Sequence, residues 1–515
     1  MTQMLKPLDL IRPGAKGLNL QETGNEDPGF CVLATNCIID GSGRLAARNG
    51  YEVLTGTPLG STPDIEAIGE HISANGTLTL ISAANLNLYS GTTTLTSRTG
   101  TITAPTANDW QFINFNNKII GIQAAHNPIV GTGGAFADVT NASTAGTMPT
   151  GNAGLAAFGR VWMVASSTDR TLIRYSDTLD ETTWDDDTTP GAAGQLDMKN
   201  VIGWGQDTIE ALAEFNGHLV VLGKHNIAVY RNPWNPNNND ASTQSYGAFE
   251  LADIVQGVGC ISRDTVKSTG TDLLFMSDQG LMSLGRLLVQ QSAPLGEVSK
   301  NVHDDLVTNV AAESDTTLKA TFHDTERWYI IVLKNSSIMY CFDTKRPLED
   351  GSFRVTKWTG IDPSAIFHSR DDTLYFGHAG VVSNYSGYLD DAATYEYYYK
   401  SSWQTLDSDQ MKIPKKWELL AEGGAGYDLN LRAFFDYNTT YSEETITVPA
   451  STGVAEWGAA EWSIAEWSGS GEFNNLKGWG KGNGRVISLG VNTTINGSDF
   501  ALQRLLIMLK LGRKP

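Results

Sequence analysis

The sequence predicts an all-β protein: a β-propeller of six or seven blades with an additional C-terminal β domain. Three observations predict it. Glycine is abundant, 53 of 515 residues, in a text rich in Thr, Asn and Ser, and long helical periodicity is nearly absent, which favours short strands joined by turns. One hairpin pattern recurs along the chain: a polar approach, an apolar strand, a tight polar turn, and a second strand often ending in an aromatic residue. The recurrences fall roughly 40 to 60 residues apart, the spacing of blades with variable loops.

The elements follow in order. The opening "MTQMLKPLDLIRPGAKGLNL" is broken by Pro7 and Pro13 and has no sustained apolar core, so it reads as an arm and not as a signal peptide. Residues 1–60 are therefore taken as an N-terminal arm with a strand that could close the propeller. The hairpins fill 61–400. They are "GTLTLISAANLNLYSG" from Gly76, a weaker "NNKIIGIQAAHNPIVG" from Asn116, and "GRVWMVASSTDRTLIRYSD" from Gly159. "NGHLVVLGKHNIAVYRN" from Asn216, "GTDLLFMSDQGLMSLGR" from Gly270, "TERWYIIVLKNSSIMYCFD" from Thr325 and "DDTLYFGHAGVVSNYSG" from Asp371 complete the set. A lone hairpin cannot bury its apolar face. Radial stacking buries all of them and leaves only short edges, although a large sandwich would satisfy the same physics. One helix is expected in "GEVSKNVHDDLVTNVAAESD", with Val302, Leu306 and Val310 on one stripe and Ser299 as N-cap. "NPWNPNNNDAST" from Asn232 reads as a long loop. Beyond about residue 400 the texture changes, and 401–515 reads as a separate β domain.

Within that domain, "VAEWGAAEWSIAEW" sets Glu456-Trp457, Glu461-Trp462 and Glu466-Trp467 at intervals of five residues. Five matches neither the two of a strand nor the 3.6 of a helix, so no regular element turns all three indoles one way. These six residues are candidate interface positions, with burial in the domain core as the alternative.

The charge is −20, from 37 Lys and Arg against 57 Asp and Glu, and no basic stripe of the kind that grips phosphates is visible. Four cysteines without a CxxC fit buried small residues in a reducing compartment. No HExxH, Walker loop, GxSxG elbow or strand-to-helix GxGxxG occurs. The eight histidines are dispersed, mostly in expected turns; His218 and His225 flank one hairpin and could approach each other, but ligation there is not the expectation. "SDTLDETTWDDD", Ser176 to Asp187, loosely resembles the structural Asp–Trp turn of sialidase-like propellers, and lacks the alternating spacing of a calcium loop. No catalytic, cofactor-binding or metal-ligating residue is assigned from the sequence.

Several phrases together resemble one family. They are "VLATNCIIDGSGRLAARNGYEVL" (32–54), with its "DGSGRL" turn and Arg48-Asn49-Gly50-Tyr51, and "GVGCISRDTVKSTGTDLLFMSDQGLMSL" (257–284), in which Gly-Cys precedes a strand ending Phe-x-Ser-x-x-Gly. "RYSDTLDETTW", the Trp-rich segment and the terminal Gly512-Arg513 fit the same set. The match is to the podophage tail nozzle family (tail tubular protein B, or DNA-stabilisation protein). The resemblance implies a homohexameric ring in the virion tail, made in the host cytoplasm, that retains packaged DNA and conducts it at ejection. It implies as partners a head-to-tail adaptor, tail fibre or spike proteins, double-stranded DNA passing without sequence-specific binding, and the host envelope at the tail tip. It brings no catalytic residues and no cofactor. The rival expectation is a propeller glycoside hydrolase or lyase, or a lectin-like adhesin, acting on host surface glycan.

Overall fold

The structure, a computed structural model, describes residues 5–21, 27–142, 148–165, 169–185, 192–233, 249–290, 296–406, 408–449 and 473–512. Seven small antiparallel sheets follow one another along the chain. Blade 1 comprises Ala67–Ile72, Leu78–Ala84, Asn87–Ser90 and Thr96–Ser97, and blade 2 Gln111–Phe115, Lys118–Gln123, His126–Gly131 and Ala137–Asp138. Blade 3 spans Gly151–Asp197 and blade 4 Ile209–Gln256, each with four strands, and blade 5 has three strands between Lys267 and Ser283. Blade 6 is Leu318–His323, Trp328–Leu333, Ile338–Asp343 and Arg354–Trp358. Blade 7 takes Ala365–His368, Leu374–His378 and Val381–Tyr385 from one stretch, and its fourth strand, Tyr51–Val53, from the N-terminal region.

The sheets close into a ring. The first strand of each four-stranded blade abuts that of its neighbour, blade 5 joins through the turn Arg263–Thr265, and blade 7 returns to blade 1. A separate apolar cluster fills six of the seven gaps, and the gap between blades 5 and 6 is filled by the cluster that continues into the remaining strands. Ile81 and Leu88 meet Trp110 and Ile119 between blades 1 and 2, and Phe115 and Ile122 meet Met163 and Trp184 between blades 2 and 3. Similar clusters join blades 3 to 4, 4 to 5 and 6 to 7, and Val382 reaches Ile65 and Leu80 between blades 7 and 1. Each fully buried aliphatic or aromatic side chain contributes about 1.5–3 kcal/mol. No hairpin could bury that area alone. All seven expected hairpins are the second and third strands of successive blades, including the weak one from Asn116.

Between blades 5 and 6 lie a turn, Lys300–Val302, and the helix His303–Val310, with Val302, Leu306 and Val310 buried. Ser299 makes no side-chain cap. Its hydroxyl donates to Glu297 Oε1 at 2.9 Å and accepts from Leu281 N at 3.0 Å, so it ties the helix entry to blade 5.

The remaining strands form a sandwich built from both ends of the chain. Lys6–Ile11 pairs antiparallel with Phe500–Leu511, which pairs in turn with Lys412–Gly423 and Leu45–Ala47. Phe30–Thr35 pairs with Tyr395–Ser401 and bridges to blade 6 at Lys357. The expected N-terminal arm is thus largely sandwich, and the C-terminal share of the sandwich begins with Tyr395, before 401. One apolar cluster runs from Leu274 and Leu306 through Tyr329 to Leu431 and Leu509, joining blades 5 and 6 to both sandwich sheets.

Candidate functional site

The first strands converge on the propeller axis, where a cavity of about 340 Å³ is lined by residues including Glu66, Trp110, Arg263, Lys319, Asp324 and His368. Its floor is a buried ion network. Lys319 Nζ donates to Asp109 Oδ1 and to Asp264 Oδ2, each at 2.6 Å, and Arg263 donates to Asp109 Oδ2 at 2.7 Å. Arg263 also reaches the carbonyl oxygens of Asp109 and Asn152. Four blades are tied at one point: blade 2 through the Asp109 approach, blade 3 through Asn152, blade 5 through the Arg263–Asp264 turn and blade 6 through Lys319. Burial works to raise the Asp264 carboxyl, but Lys319, Arg263 and Lys267 outweigh it and hold the group below its ordinary value. Burial opposes the Lys319 charge, yet Asp264 and Asp109 hold its ammonium above its ordinary value. Such a network is costly to break, because either partner left alone is a desolvated charge. Its chemistry is that of a plug. Both carboxylates are committed to cations, and the cavity is of small-molecule size.

At the cavity mouth the first strands of blades 6 and 7 end in His323 and His368. Their rings lie 4.3 Å apart, centroid to centroid, and Asp372 of the blade 7 turn faces both. Burial first, and then His368, hold His323 below the ordinary imidazole value, against the carboxylates nearby. Sequence reading placed the histidines mostly in solvated turns. His71, His126 and His323 are instead buried. No spacing signal could have united His323 with His368 and Asp372, which come from adjacent blades.

A second constellation sits at the seam where the N-terminal strand closes blade 7. Arg48 is fully buried and its guanidinium donates to Asp390 Oδ1 at 2.8 Å and Oδ2 at 2.7 Å. The same group donates to Asn36 Oδ1 (3.0 Å), Asn49 O (2.8 Å) and Thr359 O (3.1 Å), and stacks over Tyr395 at 4.2 Å. Asn49 N donates to the Tyr385 hydroxyl. Gly50 has no room for more: a Cβ there would stand 1.9 Å from the Leu389 carbonyl oxygen. Asn36, Arg48, Gly50 and Tyr51, all within the first stretch that resembles the nozzle family, therefore weld the arm to blades 6 and 7 and to the sandwich. In the second stretch, Cys260 N donates to Gly223 O at 2.8 Å, and a Cβ on Gly259 would meet that oxygen at 2.3 Å. That glycine joins blade 4 to blade 5. Ser277 and Gly280, at φ +105°, make the tight turn of the blade 5 hairpin.

The other expected positions are placed as follows. Glu456, Trp457, Glu461, Trp462, Glu466 and Trp467 lie outside the described residues, as does most of the loop from Asn232. Trp184 is buried between blades 2 and 3 and donates to Glu181 O at 2.7 Å, while Asp180 accepts from Thr182 and Thr183. The described part of that stretch, up to residue 185, is architecture, and Glu181 pairs with Lys118 across the blades. His218 accepts from or donates to no histidine: its Nδ1 bonds Asn216 O. All four cysteines are buried and free.

No family model matches the chain, and no curated protein matches it. Solved structures resembling it include a streptogramin B lyase, 11% identical, with a TM-score of 0.38 over 65% of this chain and 97% of the other. The WD40 domain of Pan2 from Neurospora crassa is 12% identical, with a TM-score of 0.38 over 67% and 97%. The extracellular domain of a hybrid two-component system from B. thetaiotaomicron is 10% identical, with a TM-score of 0.40 over 78% of this chain and 47% of the other. The chain spans about half the length of that domain. Likeness at this level carries no argument about this chain. The chain is a β-propeller with an added β-sandwich, and the closed ring of strands is the reason for saying so.

Proposed function

We propose that this chain is a structural subunit of a short-tailed phage tail, forming with copies of itself a ring-shaped nozzle that retains packaged DNA and conducts it at ejection. The supporting observation is where the residues of the family-like stretches lie. Asn36, Arg48, Gly50 and Gly259 build seams and blade joints and Gly280 a hairpin turn, while Arg263 and Asp264 of the second stretch tie blades together at the axis. Residues that serve as joints support a scaffold reading, and we assign the chain no catalytic activity. With the propeller axis plugged by the Asp109–Lys319–Asp264 network, DNA runs between subunits and not through any one of them. The charge of −20 suits that path, since carboxylates along a wall repel phosphates and leave no sticky sites. In this reading the partners are five further copies, a head-to-tail adaptor, fibre or spike proteins and the passing duplex, and the setting is the virion tail.

A glycan-cleaving or glycan-binding propeller is the second reading, favoured by the axial cavity and the acidic side chains Glu66 and Asp324 at its wall. The two separate in one experiment on the purified full chain. The nozzle reading expects a closed oligomer by sedimentation and no release of reducing ends from capsular or lipopolysaccharide glycan. A monomer or trimer that releases them, and stops when Glu66 or Asp324 is neutralised, establishes the second reading instead.

A further inference from the structure

We propose that His323, His368 and Asp372 form a binding site for one divalent transition-metal ion, zinc or a close relative, that clips blade 6 to blade 7. One ligand atom from each lies within 4.8 Å of the others. Asp372 Oδ1 stands 3.1 Å from His368 Nε2 and 3.7 Å from His323 Nδ1. Ligand atoms held about 2.0–2.2 Å from a common zinc ion are separated by distances of this order. Two imidazoles and one carboxylate are also the donor set that suits such an ion, whereas magnesium and calcium take oxygen ligands.

The surroundings favour ligation over a plain hydrogen bond. Both imidazoles are more than nine-tenths buried, at 9% and 6% side-chain exposure, while Asp372 is half exposed and leaves an entry path. The Asp372 carboxylate is held in place by the Thr325 hydroxyl, which donates to Oδ1 at 2.7 Å. His368 has a second carboxylate, Asp324 Oδ2, 3.9 Å from Nδ1. A small rotation of that exposed side chain brings it onto the Nδ1–H, the carboxylate–histidine–metal arrangement that fixes a ligand's tautomer. On binding, Nε2 of His368 turns its lone pair to the ion and the ring's single N–H sits on Nδ1, facing Asp324; a ring that held its hydrogen on Nε2 gives it to solvent while Nδ1 takes one up, with no net change in protons. Three protein ligands leave a fourth position to water.

The location gives the ion a task. His323 ends the first strand of blade 6 and His368 that of blade 7, and His368 N already donates to Thr321 Oγ1 at 3.2 Å. The same blade 7 turn is tied to blade 1 by Glu70, which accepts from Ser369 Oγ and Arg370 N. An ion here extends that tie across blades 6, 7 and 1, around the one blade assembled from distant parts of the chain.

The test uses the full chain, stripped with a chelator, with Co²⁺ as the spectroscopic probe. One Co²⁺ per chain is expected, with visible d–d bands that disappear on adding Zn²⁺ and are unaffected by excess Mg²⁺. Zn²⁺ is expected to raise the melting temperature of the wild type. His368→Asn and Asp372→Asn, each checked for a native circular dichroism spectrum, are expected to lose the bands and the shift, while His218→Asn keeps both. Because Asp372 is half exposed, its variant remains informative if His368→Asn fails to fold. Absence of stoichiometric binding, or binding that Asp372→Asn retains unchanged, overturns the site.

Discussion

Replacing Asp390 by alanine is expected to unlock the seam that closes the propeller. The substitution leaves the Arg48 guanidinium fully buried and strips it of two charge-assisted hydrogen bonds, at 2.8 and 2.7 Å. Each such bond is worth about 1.5–3 kcal/mol. Three acceptors persist, on Asn36, Asn49 and Thr359, together with the face of Tyr395, so the loss stays within the range of about 3–5 kcal/mol typical of a broken buried pair. Tyr51 pairs with Tyr385 two residues beyond Asn49, so the strand Tyr51–Val53 loosens with the hub and the connection to blade 1 becomes open to protease. Urea unfolding followed by near-ultraviolet circular dichroism reads the first effect, and limited proteolysis with fragment mass analysis reads the second. The double variant Arg48→Met, Asp390→Leu is expected to recover much of the loss, because an apolar pair leaves no orphaned charge. If Asp390→Ala changes stability by less than about 0.5 kcal/mol, the level of an ordinary surface substitution, the hub does not hold the seam and the reasoning fails.

Three other outcomes follow from the same structure. Asp264 is held below its unfolded value of 3.8, so its contribution is fully present above that pH and is lost as pH falls through the lower folded value. Asp264→Asn is expected to be less stable at neutral pH and to show a flatter acid limb below about pH 4, measured by denaturant titration at stepped pH. Gly50→Ala is expected to cost more than a typical 0.5–3 kcal/mol substitution (roughly), because the nearest obstacle is backbone, the Leu389 carbonyl oxygen at 1.9 Å; a wild-type melting temperature would refute it. Alanine at Trp457, Trp462 or Trp467 is expected to weaken self-association or adaptor binding by about 2 kcal/mol, roughly thirtyfold, at one or more positions. Three variants that melt early yet associate normally would assign all three indoles to the core.

What the sequence revealed and what it concealed have physical reasons. In the clearest blades the second strands carry continuous apolar runs, such as Trp328–Leu333 and Leu219 to Leu222, and tight turns join them to the third, so their signal is local. The first strands lie against the narrow axis, where small and polar residues fit. Gly151–Ala157 reads "GNAGLAA" and looks like a loop until neighbouring blades cover it. The sandwich was legible at its C-terminal end only. Its other half is Lys6–Ile11 and Phe30–Thr35, and pairing across nearly the whole chain leaves no mark on local composition. For the same reason the axial network stayed hidden: Asp109 meets Arg263 and Lys319 across 154 and 210 residues. The family-like motifs were visible as text, but their role as joints depended on partners such as Asp390 and Leu389, which no spacing rule connects to Arg48 and Gly50.

In the proposed function this propeller is a ring-forming wall element of a tail nozzle. Electron microscopy of the purified full chain, alone and assembled on phage tails, tests it most directly. A closed ring is expected, most simply of six copies, with its lumen between subunits and no density channel along the propeller axis. Isolated monomers on intact tails, or a ring whose central passage runs through the individual propellers, would contradict it.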